Sequence, residues 1–146
     1  TMEDLQDRLL HGDCHVFHYI GHGGFDDEHQ DGLLVLEGPG KAGVLVPGDD
    51  LGIVLNGHHT LRLAVLNTCE GARGSSKDPF AGTAQGLIQQ GVPTVIAMQF
   101  PISDVAAKTF SRRLYSTIAL GYPVDALPGP AGGWPPTSGT TPRAWS

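Results

Sequence analysis

Two side chains that can carry out nucleophilic catalysis each follow a run of β-forming residues: His22, which lies between glycines, and Cys69, which follows Thr68. A thiol with a pKa of about 8.5 is mostly protonated at neutral pH. A nearby imidazole lowers that pKa or removes the proton as the sulfur attacks, so this pair is the minimum for a Cys/His nucleophile. A structural role is the alternative, because a cysteine after a buried strand is often a small core residue and a glycine-flanked histidine is common in turns.

The elements that would position these residues alternate between strand and helix patterns. Apolar runs rich in β-formers predict strands, and runs with apolar residues three or four apart predict helices. The predicted strands cover residues 14–20, 61–67 and 92–100; the predicted helices cover residues 1–10, 47–55, 80–90 and a segment capped by Ser103; residues 32–37 and 44–46 form a predicted hairpin.

Strands separated by helices favour parallel pairing, so we expect an α/β fold with an open, mainly parallel sheet and helices on both faces. Functional sites in such sheets lie beyond the carboxyl ends of the strands. Residues 21–24, 68–71 and 101–104 should therefore meet at one edge. Neighbouring strands are about 4.8 Å apart, which brings His22 and Cys69 within hydrogen-bond reach and lets the amides of Gly23 and Cys69 face an oxyanion.

Composition excludes several classes of function. The formal net charge of −6 disfavours nucleic acid as a partner, and no apolar run approaches the roughly 18 residues of a membrane span. Two cysteines and the lack of a secretory signal favour the cytoplasm. We expect no metal and no cofactor: His15 and His18 point to opposite faces of a strand, and the glycine-rich run lacks the Lys-Ser/Thr of a phosphate-binding loop.

The last 20 residues differ in composition from the rest of the chain. Five of the 11 prolines fall in residues 127–146, beside many glycine, serine and threonine residues. Such a segment buries too little apolar surface to offset its loss of conformational entropy. We therefore predict a folded domain over residues 1–126 and a flexible tail over residues 127–146.

Four linked motifs carry a resemblance to a known family. They are HYIGHGG at residues 18–24, LNTCEGA at residues 66–72, the segment 85–104 that includes VIAMQFPISD, and the segment 110–125 that ends in GYPVD. In this order, over residues 9–127, they resemble the CHAT domain, a family of the caspase/separase/gingipain clan. The resemblance implies a caspase-like α/β fold and cysteine endopeptidase chemistry on a protein or peptide substrate. It also implies a place as the effector part of a larger bacterial protein, joined to sensing or repeat domains.

The resemblance assigns roles to individual residues. It implies that His22 is the general base, Cys69 the nucleophile, and the amides of Gly23 and Cys69 the oxyanion hole. Relatives that cut after Arg or Lys bind the basic side chain with an acidic group, for which Asp104 is the first candidate and Glu70 the second. Asp104 equally suits the first turn of a helix, where an acid interacts favourably with the helix dipole.

The chain departs from the family pattern at both ends. Few residues precede the histidine strand, and the proline-rich tail replaces a further helix. We therefore expect a caspase-like fold that is truncated at one or both ends. A catalytically silent CHAT-type module that binds a protein partner remains the alternative function, since a displacement of about 1 Å at a catalytic group costs about 10²-fold in rate.

Overall fold

A computed structural model describes residues 1–29, 31–68, 80–98 and 103–124, with the main chain alone at Thr68, Ala81 and Asp104. The described elements are four α-helices, one short 3₁₀ helix (Pro39–Lys41) and six strands. The helices are α1 (Met2–His11), α2 (Gly48–Asn56), α3 (Ala81–Gln89) and α4 (Asp104–Ala119); the strands are β1 (Val16–Gly21), β2 (Gly23–Asp26), β3 (Asp31–Glu37), β4 (Gly43–Pro47), β5 (Leu63–Thr68) and β6 (Val95–Ala97).

The strands form two three-stranded sheets. One sheet has the order β1-β5-β6 with both pairs parallel, and the other has the order β2-β3-β4 with both pairs antiparallel. The α/β class and the parallel pairing predicted from the sequence are confirmed. Strand β2 was not predicted: it occupies part of the glycine-rich segment that the sequence assigned to a loop.

Local sequence explains several element boundaries. Thr1 caps α1, since its hydroxyl accepts a hydrogen bond from the Asp4 amide while the Asp4 carboxylate binds the Thr1 amino group and hydroxyl. Gly91 follows α3 with φ +94°, a conformation that residues with a side chain disfavour, and the helix ends before it. The β3–β4 connection closes with a hydrogen bond from the Gly38 amide to the Ala42 carbonyl.

Three strands, β1, β5 and β6, differ from their predicted extents, and β5 begins at Leu63 rather than at residue 61. The first begins at Val16, so Cys14 lies before the strand rather than inside it, although it still packs against the core as a half-buried residue. The strand predicted over residues 92–100 is confined to Val95–Ala97 within the described residues.

The chain divides into two compact units, Thr1–Ser103 and Asp104–Ser146. In the first unit, α3 packs against α2, β3 and β6, and the core cluster between these elements includes Tyr19, Leu34, Leu66, Phe80 and Leu87. In the second, α4 ends in a turn in which Gly121 adopts φ +79° and its amide donates to the Ile118 carbonyl. The predicted tail from residue 127 lies outside the described residues.

Candidate functional site

The ends of two parallel strands define the candidate site. β1 and β5 pair in register from Val16 with Leu63 to Gly21 with Thr68, where both strands end. His22 follows Gly21 directly and its side chain is exposed. The chain positions that follow these two strands are those for which sequence analysis predicts catalytic roles. Of these, Cys69 and Glu70 lie outside the described residues.

The main chain of His22 is held in place by two groups. Its carbonyl accepts a hydrogen bond from the Val35 amide at 3.0 Å and lies 2.8 Å from the Tyr19 hydroxyl, which is also 2.8 Å from the Val35 carbonyl. The Val35 amide additionally donates to the Tyr19 hydroxyl oxygen at 3.2 Å. Tyr19 is a buried β1 residue and Val35 belongs to β3, so this cluster ties the two sheets together at His22.

The glycines on both sides of His22 are explained by close packing. A Cβ atom added at Gly21 would lie 2.4 Å from the Tyr19 hydroxyl oxygen, and one added at Gly23 would lie 2.4 Å from the Phe80 ring. Phe80 is fully buried and meets the Tyr19 ring edge to face, at 6.0 Å between centroids. Side chains of the protein's own core therefore fill the space beside both glycines.

A polar pair, the half-buried His18 and the fully buried Asn67, lies on the same two strands. The amide nitrogen of Asn67 is 3.1 Å from Nε2 of His18, which therefore accepts a hydrogen bond and leaves the ring proton on Nδ1. Burial lowers the pKa of His18, because desolvation disfavours the imidazolium form. Asn67 is fully buried, and its Oδ1 atom has no hydrogen-bond partner among the described residues.

This pair was missed by sequence analysis. His18 and Asn67 are separated by 49 positions, and their contact depends on the register of β1 against β5. One signal was present in the sequence: Asn67 is a polar residue at the end of an otherwise apolar strand, two positions before Cys69. A buried polar side chain at a strand end needs a partner, and this need could have pointed to a second polar group on a neighbouring strand.

A comparison with known protein families tests the resemblance carried by the four motifs. A sequence model of the CHAT domain matches residues 1–127. The chain belongs to the CHAT family. The resemblance drawn from the four motifs is thereby confirmed, and with it membership in a caspase-like family of cysteine peptidases. Neither the curated proteins nor the solved structures gave a significant match.

In this CHAT domain β2 is followed by a turn at residues 27–29, which contains two acidic residues. The Asp26 carboxylate accepts hydrogen bonds from the amides of Glu28 and His29 and lies 2.7 Å from Nδ1 of the His29 ring. The pKa of Asp26 is lowered, chiefly by the hydrogen bond from the His29 side chain and then by the two amides. Asp27 and Glu28 are exposed, as expected of acidic residues in a solvated loop.

Asp104, the candidate specificity residue, is the first residue of α4 and belongs to the second unit of the CHAT domain. That position is compatible with the helix-dipole role left open by the sequence.

Within the described part of the chain, no group of three His, Cys, Asp or Glu side chains could hold a metal ion. In the same part, no helix has the length and apolar character needed to cross a membrane.

A surface hollow of the first unit lies at the opposite end of the parallel sheet. Its lining includes His58, Arg62 and Pro93, which precede β5 and β6 rather than follow them. The Nε2 atom of His58 accepts a hydrogen bond from the Cys14 amide at 3.0 Å, which gives this histidine a structural role. The hollow is therefore separate from the edge where His22 lies.

Proposed function

We propose that this CHAT domain is a cysteine endopeptidase in which His22 is the general base and Cys69 the nucleophile. The observation that carries the proposal is the pairing of Gly21 with Thr68 at the ends of two adjacent parallel strands. His22 and Cys69 are the next residues of these two chain segments. Paired strands are about 4.8 Å apart and consecutive Cα atoms about 3.8 Å, so an imidazole and a thiol at these positions can reach each other.

The exposed His22 side chain supports this role, because a general base must meet both the thiol and an arriving peptide. His22 removes the thiol proton as the sulfur attacks the carbonyl carbon of the scissile bond. The carbonyl oxygen becomes an oxyanion, which accepts hydrogen bonds from the amides of Gly23 and Cys69. The imidazolium then gives the proton to the leaving amine, and water hydrolyses the thioester with His22 again as the base.

The substrate is a protein or peptide cut after Arg or Lys. The carboxylate of Asp104 forms a charge-assisted hydrogen bond with the basic side chain, and Glu70 is the second candidate for this contact. The negative net charge of the chain also favours a basic substrate over an acidic one. The domain acts in the cytoplasm as the effector part of a larger bacterial regulatory protein, whose sensing or repeat domains are its partners.

Turnover of a panel of peptide amides tests the catalytic proposal. The peptides carry Arg, Lys, Asp or Leu before the scissile bond and are otherwise identical. Turnover should be highest with Arg or Lys, and both Cys69→Ala and His22→Ala should reduce it by about 10³-fold or more. Cys14→Ala is the matched control, because this half-buried thiol precedes β1 and its loss should leave turnover unchanged.

Retained turnover in Cys69→Ala would refute the assignment of Cys69 as the nucleophile. A folded chain that cleaves no peptide, and whose Cys69 is no more reactive toward iodoacetamide than a free thiol, would instead identify a silent interaction module.

The Asp104→Asn variant tests specificity: we expect a loss of turnover on the Arg and Lys peptides alone. An equal loss on all four peptides, with a lower melting temperature, would assign Asp104 to the helix alone.

A further inference from the structure

The orientation of one peptide group follows from the contacts of the His22 carbonyl. This oxygen points toward β3, where the Val35 amide donates to it at 3.0 Å, and toward the Tyr19 hydroxyl at 2.8 Å. The C=O and N–H bonds of a trans peptide point in opposite directions, and the described residues contain no cis peptide bond. The Gly23 N–H therefore points away from β3.

The strand pairing is consistent with this orientation. Gly23 is opposite Leu34 in the antiparallel β2–β3 ladder, and the flanking bond from Val35 to His22 makes this a pair without mutual hydrogen bonds. The N–H and C=O of such a residue project away from the paired strand. Because β2 lies at an end of the order β2-β3-β4, the Gly23 N–H projects from the edge of that sheet.

We infer that Tyr19 is a positioning residue whose hydroxyl fixes the His22–Gly23 peptide, so that the Gly23 N–H is aimed at the oxyanion of the substrate. This inference rests on the proposed peptidase function. Tyr19 acts through the peptide and does not touch the substrate. Its hydroxyl has one proton and two carbonyl neighbours, His22 and Val35, and its oxygen accepts the Val35 amide. The Tyr19 hydroxyl therefore restrains the His22 carbonyl in addition to the Val35 amide.

Tyr19 is itself well fixed, as this role requires. Its side chain is buried and its ring packs edge to face on the fully buried Phe80, with 85° between the ring planes. Phe80 also fills the space beside Gly23, where a Cβ atom would lie 2.4 Å from the ring. The two aromatic rings therefore restrain both ends of the peptide that joins His22 to Gly23.

The Tyr19→Phe variant of the full chain removes the hydroxyl and keeps the ring. Losing an oxyanion donor costs about 10²–10³-fold in kcat, so loosening one should lower kcat on the Arg peptide about tenfold, with KM changed less than twofold. Alkylation of Cys69 by iodoacetamide forms an S–C bond and expels iodide without any oxyanion, so its rate should change less than twofold. Tyr122→Phe, which removes the same atom after α4, is the matched control and should change neither rate.

Two kinetic outcomes would overturn the inference. If kcat is unchanged in Tyr19→Phe, the hydroxyl does not position the donor. If alkylation falls as much as turnover, the variant has damaged the His22–Cys69 pair rather than the oxyanion donor.

An NMR measurement tests the inference without relying on turnover, and its first part needs no variant. In the unsubstituted chain, the order parameter of the Gly23 N–H should be close to the value of about 0.85 for rigid backbone. It should fall in Tyr19→Phe and stay unchanged in Tyr122→Phe. A mobile Gly23 amide in the unsubstituted chain, or an unchanged one in Tyr19→Phe, would overturn the positioning role. Absence of peptide cleavage with the expected order parameters would instead refute the peptidase function and leave the peptide orientation intact.

Discussion

A methyl group added at Gly23 should destabilise the protein strongly. The Cβ atom of Gly23→Ala would lie 2.4 Å from one ring carbon of Phe80 and 2.8 Å from the next. Carbon atoms pack at about 3.5–4.0 Å, so the ring must move by about 1.2 Å. Phe80 is fully buried and in contact with Tyr19, which leaves it no open space. Overpacking of this kind costs about 1–3 kcal/mol of unfolding free energy.

The neighbouring Gly24 provides the matched control. Its added Cβ would meet Leu33 at 3.9 Å, an ordinary contact, so Gly24→Ala should leave the free energy of unfolding unchanged or raise it by up to about 1 kcal/mol. Urea unfolding, followed by far-UV circular dichroism, compares the two variants. In the Phe80→Leu background the cost of Gly23→Ala should decrease by at least about 1 kcal/mol, because the smaller side chain leaves room. Equal stabilities of Gly23→Ala and Gly24→Ala would refute the packing argument.

Two further predictions concern other residues. The pKa of His18 is lowered from 6.5 by burial, so the unfolded chain binds a proton that the folded chain excludes, and stability should decrease as pH falls below about 6.5. His18→Gln should flatten the dependence of unfolding free energy on pH, measured by urea titrations between pH 7.5 and 5. The control His15→Gln, at an exposed site, should not. Parallel plots of unfolding free energy against pH for His18→Gln and the unsubstituted chain would contradict this prediction. Gly91→Ala should lower the melting temperature more than Gly121→Ala. Both glycines have positive φ, but only at Gly91 would the added Cβ also lie 3.2 Å from the Asn56 side chain. A larger decrease in melting temperature for Gly121→Ala, measured by thermal unfolding, would contradict this prediction.

Local sequence signals were sufficient for the helices and the hairpin. The capping pair Thr1 and Asp4 marks the start of α1, and the Gly-Pro-Gly-Lys segment between two β-forming runs marks the β3–β4 connection. These features depend on residues close together in the chain, which is why composition and spacing predict them.

The residues missed by sequence analysis depend on contacts between distant segments. Strand β2 contains two glycines in four residues, a composition unfavourable for strands, and it forms because β3 pairs with it. The Tyr19 hydroxyl meets Val35, which is 16 positions away, and His18 meets Asn67. A sequence pattern can suggest that His22 is catalytic, but the groups that fix its main chain are set by the register of strands in both sheets.

The connection from β1 to β2, which passes from one sheet to the other, is a single residue, His22, since β1 ends at Gly21 and β2 begins at Gly23. Such a connection cannot absorb a change in length: one inserted residue would shift β2 against β3 and turn alternate side chains to the wrong face. Among CHAT domains of this type, we therefore expect length variation to concentrate in the β3–β4 connection around residues 38–42, and the spacing between the two glycines to stay constant.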